Sequence, residues 1–448
     1  MRQVLRQGCA EKGGREVNVT LRQLFAAAFA GEGRPPASKV TARTAKHGER
    51  IGLLGYGAMR LPTLDGGHAN TWDEGASSQG IDQAMVNEHV DFALEHGVNY
   101  FDTSPAYCRG ESERVMGEAL SRHPRESYYI ATKLSNFSPS QYSFEASKKL
   151  FENSLKYLRT DHIDFYLLHS VGNGGFETFS RRYIENGILP WLFEQKAKGR
   201  IRNLGWSYHG DPKAVEWLLA KHDAGEYVWD FAQIQMNYVD WRHAQEVNTR
   251  NLDASYLYGE LERRGIPVVI MEPLLGGRLA RHNEALSGEL VRLDPKATQA
   301  SWAFRFCGTY PGVLTILSGM THKENIVDNV ATLSPLKPLT EAELVGLERA
   351  ARAYLGTGAI PCNSCNYCMP CPFGLDIPAA FEFMNRVRDR RMADPGEIRR
   401  EYERAIPDRR RRADRCIGCG RCVTHCPQTI DIPKELDAIA AFMEGLGR

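Results

Sequence analysis

Eight short apolar runs recur between residues 51 and 320, and their alternation with amphipathic stretches leaves few folds open to the chain. The runs are Ile51–Gly57, Val98–Ser104, Tyr128–Leu134, Ile163–His169, Ile201–Ser207, Phe231–Tyr238, Ile266–Leu274 and Val313–Met320. Between most of them, apolar residues three and four apart predict helices packed by one face, as in Val86–His96 and Phe151–Leu158. Gly97, Gly199 and Gly265 each stand where such a helix stops and a strand follows. Glycine accepts the left-handed conformation that ends a helix. Eight strand–helix units over about 270 residues predict an α/β fold, a parallel (β/α)8 TIM barrel, whose usual size is about 250 residues. An open doubly wound sheet is the alternative, but no Gly-x-Gly-x-x-Gly follows the first run.

The tail has a different logic. Eight of the eleven cysteines fall in two tight runs: Cys362, Cys365, Cys368 and Cys371, then Cys416, Cys419, Cys422 and Cys426. The second run has the C-x2-C-x2-C-x3-C-P spacing that holds iron–sulfur clusters in bacterial ferredoxins, and the first is one residue shorter. Three cysteines two residues apart can wrap one cubane, and in two-cluster ferredoxins the fourth ligand comes from the other run. Two [4Fe-4S] clusters are therefore expected. One is held by Cys362, Cys365, Cys368 and Cys426, the other by Cys416, Cys419, Cys422 and Cys371. The runs continue alike, as Cys371-Pro-Phe-Gly-Leu-Asp-Ile-Pro378 and Cys426-Pro-Gln-Thr-Ile-Asp-Ile-Pro433, an internal repeat. Zinc is the alternative for four thiolates, although zinc sites usually take cysteines in separated pairs. A disulfide framework belongs to small secreted domains and fits a chain of 448 residues poorly.

Composition sets outer bounds. The chain is 42% hydrophobic and 25% charged, with ample core for more than one domain. A net charge of +1 gives no global field favouring nucleic acid or a membrane surface, and no run of eighteen apolar residues predicts a membrane span. Reduced cysteines and clusters point to the cytoplasm. Arg409 to Arg412 and the arginine-rich Arg386 to Arg391 read as solvated helix faces or as a docking patch for an acidic redox partner. The expected divisions are an extension of uncertain order over 1–45, the barrel over 46–338, and a helical cluster-binding domain over 339–448. The extension holds a small apolar run, Leu21 to Ala30, too short for a signal peptide. In the last domain, Thr340–Leu355, Ala379–Arg388 and Pro395–Ala405 read as helices, with Gly356 and Gly358 as a joint.

Barrels place chemistry at the carboxyl ends of their strands. There stand Asp102 and Tyr107 after the second run, Lys133 in the third and His169 ending the fourth. Each alone could serve local structure, but a lysine between Ile130-Ala-Thr and Leu134 carries an ammonium into a packed region, which is costly unless paired.

These residues, with Gly55-Tyr-Gly-Ala-Met-Arg60, Phe101-Asp-Thr-Ser-Pro-Ala-Tyr107 and Asp164-Phe-Tyr-Leu-Leu-His169, resemble the aldo-keto reductase family over about residues 48–335. With the cysteine tail, the chain is similar to the ferredoxin-fused branch of that family. The resemblance implies reduction of a small carbonyl substrate with hydride from NADP or NAD. Tyr107 would give the proton, Lys133 would lower the tyrosine's pKa, Asp102 would hold Lys133 charged, and His169 would orient the carbonyl. It implies Ser207, Gln233 and Asn329 as cofactor contacts. The chain departs from the family pattern at Tyr208, for an asparagine, and at Met271, for a stacking tyrosine. It departs again at Asn325, for the arginine of Arg-x-x-Glu-Asn, and asparagine cannot supply a bidentate charge to a 2′-phosphate. The alternative to such an enzyme is an electron-transfer protein whose barrel is a docking or ligand-binding scaffold.

Overall fold

The computed structural model describes residues 23, 39–69 and 80–446. Apart from Gln23, the apolar run Leu21–Ala30 lies outside the described residues. Each of the eight apolar runs carries one barrel strand: β3 Leu54–Gly57, β4 Tyr100–Asp102, β5 Tyr129–Leu134, β6 Ile163–Val171, β7 Ile201–Tyr208, β8 Phe231–Gln235, β9 Val268–Met271 and β10 Val313–Ser318. All neighbours pair in parallel, and β10 closes on β3. Gly97, Gly199 and Gly265 take left-handed φ values of 81°, 76° and 64° at the expected helix stops.

A feature absent from the sequence reading lies ahead of the first barrel strand. Strand β1 (Ala42–Thr44), within the stretch expected as an extension, pairs antiparallel with β2 (Arg50–Gly52). Ala45 and Ile51 pack against Tyr100, Phe165, Phe231 and Leu314 inside the barrel, so the hairpin plugs its amino-terminal end. Arg43 ties it down by donating to the carbonyls of Gly308, Tyr310 and Val313.

Alternate residues of a strand share a face. The inward rows run Tyr100, Asp102; Ala131, Lys133; Phe165, Leu167, His169; Phe231, Gln233, Gln235; and Val269, Met271. The lower members form one apolar cluster, with ring pairs Tyr100–Phe165 and Phe165–Phe231 at 4.9 and 5.1 Å. The upper members are polar or sulfur-bearing. One strand periodicity thus supplies a packed floor and a reactive mouth.

The tail carries helices Ile377–Asp389, Pro395–Ala405 and Ile432–Gly445 around its own core of Ile360, Phe381, Phe383, Tyr402, Ile432 and Leu436, among others. The last of these helices was not anticipated. The internal repeat is geometric as well as chemical. Ser364 and Asn366 in the first run, and Gly418 and Gly420 at the same offsets in the second, are all left-handed, with φ of 53°, 63°, 70° and 71°. Gly374 and Thr429 match in the same way, at 79° and 52°. Asp376 and Asp431 then cap equivalent helices, accepting from the amides of Ala379 and Lys434. Three left-handed residues at matching places bend each cysteine run.

Helix packing around the barrel is close at Gly117, in helix Ser112–Leu120. A Cβ there would lie 2.1 Å from the Tyr157 carbonyl oxygen and 2.9 Å from the Leu158 Cα, both backbone atoms that cannot swing aside. Gly117→Ala is expected to cost about 1–3 kcal/mol of barrel stability, read from the midpoint of denaturant unfolding.

Candidate active site and cysteine centres

The four carbonyl-site candidates meet at the barrel mouth. The Lys133 ammonium is fully buried and donates to Asp102 Oδ1 at 2.6 Å and to the Thr103 carbonyl at 2.8 Å. Burial works against both charges, raising the Asp102 carboxyl and lowering the Lys133 ammonium, and their mutual attraction opposes it. Tyr107 lies beside them, its ring 5.8 Å from that of His169 in an edge-on arrangement. Burial pushes the Tyr107 phenol well above the ordinary tyrosine range, and Asp102, Tyr367 and Glu272 add to the rise. Burial thus outweighs any lowering by Lys133. The ammonium sits over the ring face, 4.9 Å from its centroid, and spends its hydrogen bonds elsewhere. His169 is held well below its usual range by burial and by Lys133, so it is a neutral imidazole. Its Nδ1 lies 2.6 Å from Ser135 Oγ, which in turn meets Ser104 Oγ at 2.8 Å.

A cavity of about 200 Å³ opens above these groups, lined by Asp102, Tyr107, His169 and Gln233 from the barrel. His209, which the sequence reading passed over, lines it too; burial brings its imidazole down to about 4. Of the expected cofactor contacts, only Gln233 reaches this lining. Its Oε1 is buried without a hydrogen bond, and its Nε2 rests 3.5 Å from the sulfur of Met271. Ser207 instead accepts from the Ser170 amide at 2.9 Å, and Asn329 donates to Ser318 Oγ at 3.0 Å. Asn325 is spent capping its own helix, where its Oδ1 accepts from the His322 amide, and Lys323 is paired with Glu88 at 2.8 Å.

The far wall of the same cavity is the tail. Asn363, Cys365, Tyr367, Pro427 and Gln428 line it opposite Tyr107. The seat is specific. Arg60 donates to the Asn363 carbonyl, Asn363 donates to Glu272 Oε1 at 3.4 Å, and Asn248 holds both the Pro427 carbonyl (3.0 Å) and the Thr429 hydroxyl (2.6 Å). Buried Arg278 bonds the Tyr354 hydroxyl and the Ile360 carbonyl. Nothing in the sequence marks these partners, which lie between 76 and 303 residues apart.

The eight tail cysteines are unbridged. Cys362, Cys365, Cys368 and Cys426 border one cavity with Phe381, Ile430 and Ile432. Cys422 has Cys371, Cys416 and Cys419 as its electrostatic neighbours. The two groups are the two sets expected from the crossed pairing. The Ser364 amide points at Cys362 Sγ, 3.4 Å away, and amides of 428 to 430 point at Cys426. Among the described residues, no three His, Cys, Asp or Glu side chains are set to hold a single metal ion. The first four thiols border one hollow, and thiolate donors around a hollow suit a polynuclear iron–sulfur core.

Two outcomes test this geometry. Lys133→Met leaves the Asp102 carboxylate buried without its partner and is expected to cost about 3–5 kcal/mol in denaturant unfolding, most of it regained on adding Asp102→Asn. Gly276→Ala would place a Cβ 2.3 Å from that of Asn363, at a residue with φ of +69°. It is expected to lift the tail from the barrel, seen as faster proteolysis at the Gly356–Gly358 joint with an unchanged barrel melting transition.

Comparison with known proteins agrees with both halves. Residues 54–350 match the Aldo/keto reductase family, and residues 361–430 match the 4Fe-4S dicluster domain. An L-galactose dehydrogenase from Arabidopsis thaliana is 25% identical over 309 residues, 65% of this chain and 87% of that protein. An uncharacterized oxidoreductase of Bacillus subtilis, YqkF, is 26% identical over 302 residues, 61% of this chain and 90% of that protein. The holo form of an aldo-keto reductase from Bacillus halodurans superimposes with a TM-score of 0.54 at 22% identity, covering 70% of this chain and 97% of that one, a likeness of fold. With residues 54–350 in the matched barrel and the dicluster domain behind it, the chain belongs to the aldo/keto reductase family and is an oxidoreductase with a C-terminal 4Fe-4S dicluster domain.

Proposed function

We propose that the protein reduces an aldehyde or ketone at the barrel mouth, with Tyr107 as proton donor, and exchanges electrons with a partner protein through two [4Fe-4S] clusters. One observation carries this reading: Tyr107, His169 and Gln233 share a single cavity with Cys365 and Tyr367 of the first cysteine loop. Cys362, Cys365, Cys368 and Cys426 would hold one cluster, and Cys371, Cys416, Cys419 and Cys422 the other. Such clusters belong to a reducing compartment, the cytoplasm.

The chain's own groups suit a carbonyl. Buried Tyr107 keeps its proton at neutral pH, so its hydroxyl can donate to the carbonyl oxygen and release the proton as negative charge develops there. In the tautomer whose Nδ1 accepts from Ser135, the Nε2–H of neutral His169 would be a second donor for the same oxygen. The Asp102–Lys133 pair sets a fixed positive edge against the tyrosine ring. At the nicotinamide end, the unpaired Gln233 Oε1 fits a carboxamide N–H and Met271 offers a soft surface beside it. Ser207 and Asn329 would act from behind by holding the strand ends. Asn325 and Lys323 are already engaged, so the site gives NADP no charge advantage over NAD. Bound dinucleotide would supply hydride, and the clusters would supply single electrons.

A second reading, an electron-transfer protein whose barrel is a ligand-binding scaffold, draws on the Glu272 carboxylate in the cavity lining and on Arg60, a cation of that lining already bound to Asn363. The two separate experimentally. Anaerobically purified protein is expected to hold roughly eight irons with matching acid-labile sulfide. Tyr107→Phe is expected to lower NADH- or NADPH-dependent carbonyl reduction by about 10²–10⁴-fold at unchanged iron content. Cluster reduction by a low-potential donor without any nicotinamide binding would favour the scaffold.

A further inference from the structure

The two cysteine sets differ in exposure. Cys365 of the first lines the barrel cavity, while Cys419 of the second is exposed, with Ile417 and Gly418 beside it. We propose that the face around Cys371, Cys416, Cys419 and Cys422 docks a small acidic one-electron carrier protein, an inference that rests on the reading that these thiols hold a cluster.

The segments that carry this set expose apolar side chains and arginines. Ile417 is 64% exposed and Phe373 50%, and each stands within two residues of a cysteine of this one set. Among the described residues after the Gly356–Gly358 joint, they are the large hydrophobic side chains left exposed. Residues 408–425, the segment that holds Ile417, carry six arginines against two aspartates, in a chain whose net charge is only +1. Arg410, Arg411 and Arg415 are paired, with Asp408, Asp376 and Asp414. Arg409 and Arg421 are exposed with no ion-pair partner among the described residues.

Uncompensated guanidinium groups at a rim raise the association rate of a negatively charged partner and fix its orientation. A desolvated apolar centre then slows its departure. A partner matched to this face has a negative surface surrounding a redox group near its own edge. The carrier gives up one electron across the contact and the holoprotein gains it, so no proton or atom need pass.

The test uses anaerobic holoprotein with purified flavodoxin as the acidic probe, by calorimetry at low and high salt. Binding is expected at low salt and to weaken as salt rises. Arg409→Glu and Arg421→Glu are each expected to weaken it about tenfold, and Ile417→Ser to weaken it with little change in salt dependence. Iron content and the electron paramagnetic resonance signal of the reduced protein should stay as in the parent. Arg409 lies seven residues before Cys416, so its variant remains informative if the changes inside the loop disturb the cluster. Equal flavodoxin binding by iron-replete parent and variants, no binding at all, or arginine-dependent binding of an oligonucleotide alone would overturn the docking face. A parent protein without iron would instead overturn the cluster reading beneath it.

Discussion

The seating of the first cysteine loop on the barrel mouth is the contact on which the functional architecture depends. Arg60, Asn248, Glu272 and Arg278 are barrel residues, and each reaches a tail group. Gly276 has to be glycine at this seam, because Asn363 occupies the space a side chain would need. Without that seat, the barrel-mouth cavity would open directly to solvent and the cysteine sets would lie on a separate body. With it, one loop borders both the barrel-mouth cavity and the first four thiols.

The barrel's contribution is a gradient of polarity along each inward row. Aromatic and aliphatic side chains fill the lower levels, and the next inward positions place Asp102, Lys133, His169 and Gln233 in a low-dielectric mouth. Burial then decides the chemistry of each group. It keeps Tyr107 protonated and His169 neutral, and it makes the Asp102–Lys133 pair costly to break. Burial is the largest influence on the tyrosine's acidity, and the Lys133 ammonium lies 4.9 Å from the ring centroid.

The tail repeats a single device. Left-handed residues at matching offsets curl each cysteine loop, and an aspartate five residues after the last cysteine starts a helix. The second loop uses glycine at two positions where the first uses serine and asparagine. The two copies then diverge in setting. One borders the barrel cavity, and the other holds the exposed Cys419 in an arginine-rich segment.

Strand positions, helix stops, cysteine spacing and the mixed acid, base and lysine set at successive strand ends were legible in the chain alone. Each follows from local geometry: a period of two in strands, left-handed glycine at helix ends, and the short reach between thiols two residues apart. The hairpin plug at Ala42–Thr44, the placing of His209 in the cavity and of Lys133 over the Tyr107 ring, and the meeting of Tyr367 with Tyr107 were decided only by tertiary structure. These depend on which surfaces pack together across long sequence separations. Residue type and spacing carry no record of that choice.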